Sequence, residues 1–492
     1  MSVAPIVRPR SRPAPSLSQA PLRVLDGFGG AQRAVCRYLA PRDGAELADA
    51  VARAAREGAT FCFRGSGRSY GDAALADGRL VVDTTALNRI LAWDPASGVA
   101  EVEPGVTVGD LWRRTLPDGF WPAVVPGTMA PTLAGCAAMN VHGKNNFKVG
   151  PVGDHVLDFD LLDPQGRSWR CSREENPEIF HAAIGGLGAL GAFTRIRLKL
   201  KHVESGLLRV EPVRTRSLAE SFDVFEERLP RADYLVGWLD ALAGGASLGR
   251  GVLHQASYLA AADDPEGAGA TLRLERQDLP STILGFPRSL LWRFMRPFTN
   301  DLGARFVNLG QYCASYLHPR GSSYLQSHAA FAFLLDYVPN WRRIYGRRGF
   351  IQYQPFVPKD AAREVFREIL ESCRREGLPP YLVVLKRHRP DPFLLTHALD
   401  GWSLAMDFPA RDRTKLWSLC HRLSDVVLGA GGKLYFAKDS VMRPVDAQRA
   451  YGRETLDRFF ALKRRLDPQG LLQSDLVRRA LPWEGVPEGT GR

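Results

Sequence analysis

Residues 45–57 (AELADAVARAARE) place Leu47, Ala50, Val51 and Ala54 on one stripe at three- and four-residue spacing, which predicts an amphipathic helix stopped by Gly58. TFCF (60–63) then reads as a buried strand. Short strands and glycine turns follow at 79–85 and 98–106, with a short helix in VGDLWRRTL (108–116). FDLLDPQGRSWRCS (159–172) has the pattern of a hairpin turning at Pro164–Gly166, and AFTRIRLKLKHV (192–203) alternates as a half-exposed strand.

The pattern changes after about residue 205, where the glycine signature gives way to longer, mixed segments as far as 345. One of these, 281–298, mixes Leu, Trp, Phe and Met with Arg288, Arg293 and Arg296. It predicts either a basic amphipathic segment on a membrane surface or a core-capping segment with solvated arginines. Further on, 349–358 reads as a strand, 360–377 as a helix, 381–388 and 401–410 as strands, and 412–429 as a helix before GGKLYFAKDS (431–440). Strands and helices in that order predict an α+β fold, an antiparallel sheet with covering helices.

A chain of 492 residues exceeds one ordinary core, so two or more domains are expected. Its 45% apolar and 24% charged composition is that of a globular protein, and no apolar run reaches the ~20 residues of a membrane helix. The first 21 residues, rich in Arg and Pro without an apolar stretch, read as a disordered leader rather than an export signal, which makes a cytoplasmic location the expectation. Seven cysteines (36, 62, 136, 171, 313, 373 and 420), none at CxxC spacing, suggest reduced thiols rather than a disulfide framework or metal site. The charge of +12 favours anionic partners or a solvated basic surface, and no nucleic-acid-binding motif accompanies it.

Two glycine runs match a dinucleotide fingerprint and both fail on context. After RGSGRSYGD (64–72) too few residues precede the next strand to hold a crossover helix, which with its loops needs at least about 10–12. GGLGALG (185–191) leads into a strand, so no helix N-terminus is there to receive a pyrophosphate. These turns and VVPGTMAPTLAG (124–135) still allow backbone N–H groups to converge on an anion, beside the polar cluster NVHGKNN (140–146).

RGSGRSYGD, VEPGVTVGDLW (102–112), VPGTMAPTLAGCAAMNVHGKN (125–145) and IGGLGALGAFTRI (184–196) together resemble the FAD-binding fold of the vanillyl-alcohol oxidase and p-cresol methylhydroxylase superfamily. Within it the chain is most similar to the decaprenylphosphoryl-β-D-ribose 2′-oxidases. That likeness recurs at FIQYQ (350–354), Lys386, GWSLAMDFP (401–409) and LYFAKDS (434–440), and ends at DPQGLLQSDLVRRAL (467–481).

The resemblance implies a two-lobed architecture: an FAD-binding domain over 22–200 completed by 425–482, a substrate domain over 201–424, and a tail at 483–492. It implies that Arg64, Gly65, Ser66, Gly67, Arg68, Ser69, Tyr70 and Gly71 wrap the FAD pyrophosphate with Pro126, Gly127 and Thr128 opposite. Gly135, Asn140, His142, Gly143, Lys144, Asn145, Ile184, Gly185, Gly186, Gly188, Gly191 and Tyr435 are further cofactor positions by the same likeness. Members with covalent flavin often carry His where this chain has Arg68, so the FAD is expected to be non-covalent.

Oxidising an alcohol needs hydride transfer to the cofactor and removal of the hydroxyl proton. Lys438, His142 and Tyr70 are the expected catalytic residues, Lys438 as a cation beside developing negative charge and His142 as a base. Gln352 and Gln354 alternate with Tyr353 and so share a sheet face. With Lys144, Lys386, Ser403, Ala405 and Lys438 they make the expected substrate pocket. The family has Asn and Cys where Ser403 and Ala405 stand, and a pocket tyrosine near Ala332 or Phe333. One wall is therefore altered.

The reaction implied is oxidation of the 2′-hydroxyl of a polyprenyl-phosphoryl ribose, completed to arabinose by a keto-reductase partner using a nicotinamide cofactor, with a peripheral membrane contact through 281–298. The rivals are a soluble aldonolactone or alditol oxidase of the same superfamily and a non-catalytic basic binding protein on a degenerate flavin fold.

Overall fold

A computed structural model describes residues 16–482 apart from 284, 318 and 320. Most of the expected leader and the tail 483–492 thus lie outside the described residues. Residues 16–21, expected to belong to the leader, are among the described residues. Leu17 is buried beside Leu47 and Val51, and its N–H donates to Glu57 Oε2 at 3.0 Å. One apolar side chain is enough to tie this segment to the first helix.

That helix, Gly44–Glu57, starts where the Asp43 carboxylate accepts from Glu46 N–H and stops at Gly58, whose φ of 63° suits glycine. It covers a four-stranded sheet in the order Leu22–Asp26, Arg33–Leu39, Leu80–Asp83, Phe61–Arg64. A second sheet has five antiparallel strands: Ile90–Asp94, Val99–Val102, Ala192–Lys199, Val156–Leu162 and Ser168–Ser172. The strands at 61–64, 80–83, 99–102, 156–162, 168–172 and 192–199 match expected ones, whereas Leu22–Asp26, Arg33–Leu39 and Ile90–Asp94 were not expected.

The third sheet contains nine antiparallel strands among the described residues. At its centre Leu382–His388 pairs with Gly401–Pro409, setting Val384 opposite Ala405 and Lys386 opposite Ser403. Phe350–Tyr353 pairs on the other side of Gly401–Pro409, with Gln352 opposite Asp407. Side chains alternate across a strand, so Val384, Lys386, His388, Ser403, Ala405, Asp407 and Gln352 share one face. Val383, Leu385, Leu404, Met406 and Phe408 take the other. That apolar face packs beneath the helices Lys359–Arg375 and Arg413–Gly429, which bury stripes through Val365, Phe366 and Ile369 and through Leu419, Cys420 and Leu423.

The C-terminal segment departs from expectation. In 431–440 only Lys433–Leu434 is strand, and it pairs with Pro355–Pro358 of the large sheet rather than with the N-terminal sheets. The chain reaches the N-terminal lobe further on, where Phe61 N–H donates to Leu471 O and Gln473 N–H to Phe61 O. The preceding helix, Arg453–Leu466, carries Lys463, whose buried ammonium donates to Ala189 O, Leu472 O and Asp467 Oδ2 at 2.8–2.9 Å.

Residues 281–298 form no continuous helix. Pro287 and Pro297 break them into two short strands, a helical turn Leu291–Met295 and flanking 3-10 turns. The helix Asp301–Ala314 follows, with Leu302 and Phe306 pointing to solvent.

Candidate active site

The polar face of the large sheet and the glycine turns of the first 200 residues enclose a cavity of about 630 Å³. Gly65 to Tyr70, Pro126, Gly127, Thr128, Gly135, Gly188 and Gly191 line it from the glycine turns. Gln352, Gln354, Lys386, Ala405, Tyr435, Lys438, His142 and Lys144 also line it.

The turn geometry explains the glycines. A Cβ on Gly65 would come within 2.2 Å of Thr132 Oγ1, and Gly67 and Gly188 have φ of 63° and 68°. Leu187 shares that left-handed conformation at φ 63°, held by its N–H on Ala138 O at 2.9 Å. An aliphatic side chain there costs about 1–2 kcal/mol, the kind of strain that collects at binding loops. The Thr128–Met129 segment is fixed by Asp336, whose carboxylate accepts from Thr128 Oγ1 at 2.7 Å and Met129 N–H at 2.8 Å.

Several sequence-selected residues stand behind the wall rather than on it. Arg64 turns its guanidinium to Ala74 O and Asp26 O, both at 3.0 Å. Gly71 is packed under the Asp439 carbonyl. Asn140 bonds Asp391 and Gly153, and Asn145 bonds Ala123 O. Gly143, Ile184, Gly185 and Gly186 support the turns from outside the cavity, and Ser403 is fully buried. Of the two positions expected to replace the family's tyrosine, Ala332 is on the wall. Phe333 is packed against Trp112 and Trp121.

The residues expected to meet substrate form a network. Gln354 Nε2 lies 3.1 Å from His142 Nε2 and 3.0 Å from Ser403 Oγ, which is 2.7 Å from His388 Nε2. Nε2 of His142, the residue expected to act as a base, therefore already has a hydrogen-bond partner. Gln352 donates to Asp407 and contacts the Tyr70 hydroxyl, and the Lys438 ammonium sits 3.8 Å over the Tyr70 ring.

Burial dominates the electrostatics. It holds Lys438 and Lys144 down to about 7 and Lys386 to about 8, with Lys386 also repelling the other two. Burial raises Asp407 to about 7 and keeps His142 and His388 well below the usual histidine range, hence neutral. Three ammonium groups in one cavity, none within ion-pair distance of a carboxylate among the described residues, suit an anionic ligand.

His388, His397 and Asp407 escaped the sequence reading, although His388 lies two residues from Lys386 on the same strand face. His397 packs from a loop against Tyr435 of the cavity wall, the rings tilted by 42° with centroids 4.1 Å apart.

A cavity walled by glycine turns and holding buried lysines is that of a flavin-dependent oxidoreductase, and residues 36–172 match the FAD binding domain family. The chain is 32% identical to decaprenylphosphoryl-β-D-ribose oxidase of Mycolicibacterium smegmatis over 92% of its own length and 96% of the relative's. An uncharacterised protein of Streptomyces coelicolor is 30% identical over 76% of this chain and 99% of the relative. Cytokinin dehydrogenase 2 of Arabidopsis thaliana is 29% identical over 44% and 42%. The chain belongs to the decaprenylphosphoryl-β-D-ribose oxidase family, and its cofactor is FAD. The residues fit that cofactor: the cavity is of the size expected for a cofactor site, and Gly188 leaves open space at the turn.

Proposed function

We propose that this protein oxidises the 2′-hydroxyl of a polyprenyl-phosphoryl pentose, ribose by family likeness, to a keto sugar. The observation that carries this reading is that Lys144, Lys386 and Lys438 line one cavity together with the apolar side chains of Val236, Trp238, Leu382, Val384 and Met295. An anionic group is drawn to the lysines that are charged while a lipid follows the apolar wall. Bound FAD supplies the hydride acceptor. Gln354 orients the sugar, and neutral Lys438 accepts the hydroxyl proton at Nζ, becoming an ammonium that faces the charge left behind. Arg68 at the tether position supports non-covalent FAD. A nicotinamide-dependent reductase would consume the ketone and complete the change from ribo to arabino.

Anaerobic mixing tests the reading. Polyprenyl-phosphoryl ribose should bleach the flavin absorbance and simple alditols should not; the reverse pattern would overturn the substrate assignment.

Lys386 is assigned to the phosphate as a flexible point charge. Lys386→Met should weaken phosphorylated substrate about 10- to 100-fold in KM. It should also stabilise substrate-free enzyme by roughly 1–3 kcal/mol at pH 7, because a buried unpaired cation is removed. The folded value near 8 lies below that of an unfolded lysine near ~10.4, so the unfolded chain binds more protons between them. Lys386 thus makes wild-type stability rise with pH across that window. The slope should be smaller in the variant, as thermal unfolding would show.

No helix among the described residues is long and apolar enough to cross a membrane. A peripheral contact at the inner membrane face is supported by exposed Phe286, Phe294, Phe298, Leu302 and Phe306, interleaved with Arg288, Arg293, Arg296 and Arg305. Phe294 adjoins Met295 on the cavity wall. Leu302→Glu with Phe306→Glu should cut binding to anionic phospholipid vesicles by at least about 10-fold while flavin content is kept. Equal sedimentation of both proteins would remove the membrane role.

A further inference from the structure

The hydrogen bonds that join His142, Gln354, Ser403 and His388 can run in two opposite directions that give the Ser403 hydroxyl proton a partner within the network. With the Gln354 NH2 toward His142 and Ser403, it donates to His142 Nε2 and Ser403 Oγ, distances of 3.1 and 3.0 Å. The His142 ring proton then sits on Nδ1, and the Ser403 hydroxyl donates to His388 Nε2 at 2.7 Å. With the amide turned over, its carbonyl accepts from both neighbours, His142 and His388 carry their protons on Nε2, and the NH2 faces the cavity. Such assignments follow from the network as a whole.

Two features favour the first direction, although it leaves the ring protons of His142 and His388 on buried Nδ1 atoms that have no partner among the described residues. The cavity already presents the amino groups of Lys144, Lys386 and Lys438, which carry N–H donors whether charged or neutral, so an NH2 turned toward it would set donors against donors. A carbonyl there instead faces N–H donors and can accept a hydroxyl. The second feature is His388, fully buried on the same sheet face as Ser403. An acceptor at its Nε2 takes the Ser403 proton and leaves the Ser403 lone pairs for the amide. Without it, the Ser403 hydroxyl would donate to Gln354 and pull the carbonyl inward.

We propose that His388 is a positioning residue that, through Ser403, holds the Gln354 NH2 on His142 and leaves the Gln354 carbonyl to receive the substrate hydroxyl. His142 is then a neutral Nδ1–H donor rather than a base. The consequence for substrate rests on reading the cavity as an alcohol-oxidising site; the orientation of the relay does not.

The test is nitrogen NMR of oxidised holoenzyme labelled with 15N-histidine, the His142 signals being assigned by their loss in His142→Asn. Wild type should show His142 with Nδ1 protonated and Nε2 bare. His388→Phe keeps a ring but no acceptor. It should lower the ratio of Nδ1–H to Nε2–H by about five-fold, the worth of one hydrogen bond. His388→Gln, whose carbonyl can reach the Nε2 position, should restore it. Ser403→Ala should lower the ratio as well, and serves if His388→Phe fails to retain flavin. A wild-type His142 protonated on Nε2, or a ratio unmoved by the variants that retain flavin, would overturn the proposal. No substrate enters the measurement, so failure of the sugar assignment leaves a distinct mark in the bleaching experiment.

Discussion

Lys438→Met is expected to retain FAD and to slow reduction of the flavin by substrate about 10²- to 10³-fold, the cost of removing one group aimed at developing charge. The Lys438 Nζ lies over the Tyr70 ring, and methionine keeps an unbranched stem whose polarizable sulfur can contact that ring, which limits the packing loss. Comparing the pH profiles of wild type and variant tests Lys438, because burial brings Lys144 and Asp407 to about the same value. Burial holds Lys438 near 7, and a proton acceptor must be unprotonated. The wild-type rate of flavin reduction should therefore climb as pH rises through about 7 and level off above. In Lys438→Met that limb should vanish. Stopped-flow reduction across pH 6–9 would measure both effects, on the order of two decades at the plateau. A variant that reduces at the wild-type rate would remove Lys438 from the chemistry.

The second large effect is structural. Lys463 and Asp467 are essentially inaccessible, and the ammonium also carries Ala189 O and Leu472 O. Lys463→Met would strand the Asp467 carboxylate and two carbonyls, a loss of about 3–5 kcal/mol. Asp467 also accepts the N–H groups of Leu471 and Leu472, so the segment meeting Phe61 should loosen with it. Ala189 lies between Gly188 and Gly191 of the cavity wall, and FAD should be held more weakly. Thermal unfolding followed by circular dichroism, with flavin fluorescence reporting release, checks this. Wild-type values for both would show that the clamp is unimportant.

The sequence was most informative where local rules act. The stripe through Leu47, Val51 and Ala54 is a helix, and the hairpin at 156–172 turns at Pro164–Gly166. Alternation put Gln352 and Gln354 on one face, and both line the cavity. What was illegible depends on pairing between distant strands. That Lys386 meets Ser403, or that Asp407 is joined to Tyr70 through Gln352, follows from registers no single strand reveals. Family resemblance placed Arg64 in the cofactor turn, yet its long side chain turns back to Asp26 O and Ala74 O. In the same way Ser403 holds its neighbours instead of facing the cavity. The helix Asp301–Ala314 escaped notice because its outward face carries Leu302 and Phe306, the reverse of the usual amphipathic order.

The long-range strap from Lys463 to Ala189 and from Gln473 to Phe61 also sets an order of assembly during biosynthesis. Phe61 and Ala189 leave the ribosome hundreds of residues before the partners that secure them. Until about residue 473 has emerged, the glycine turn lacks its anchor and the edge of the first sheet lacks its cover. Tight cofactor capture is therefore a late event, coupled to completion of this segment rather than to synthesis of the lobe that contacts the cofactor. Stalled chains released short of Lys463 should emerge colourless, while those passing Gln473 should take up flavin.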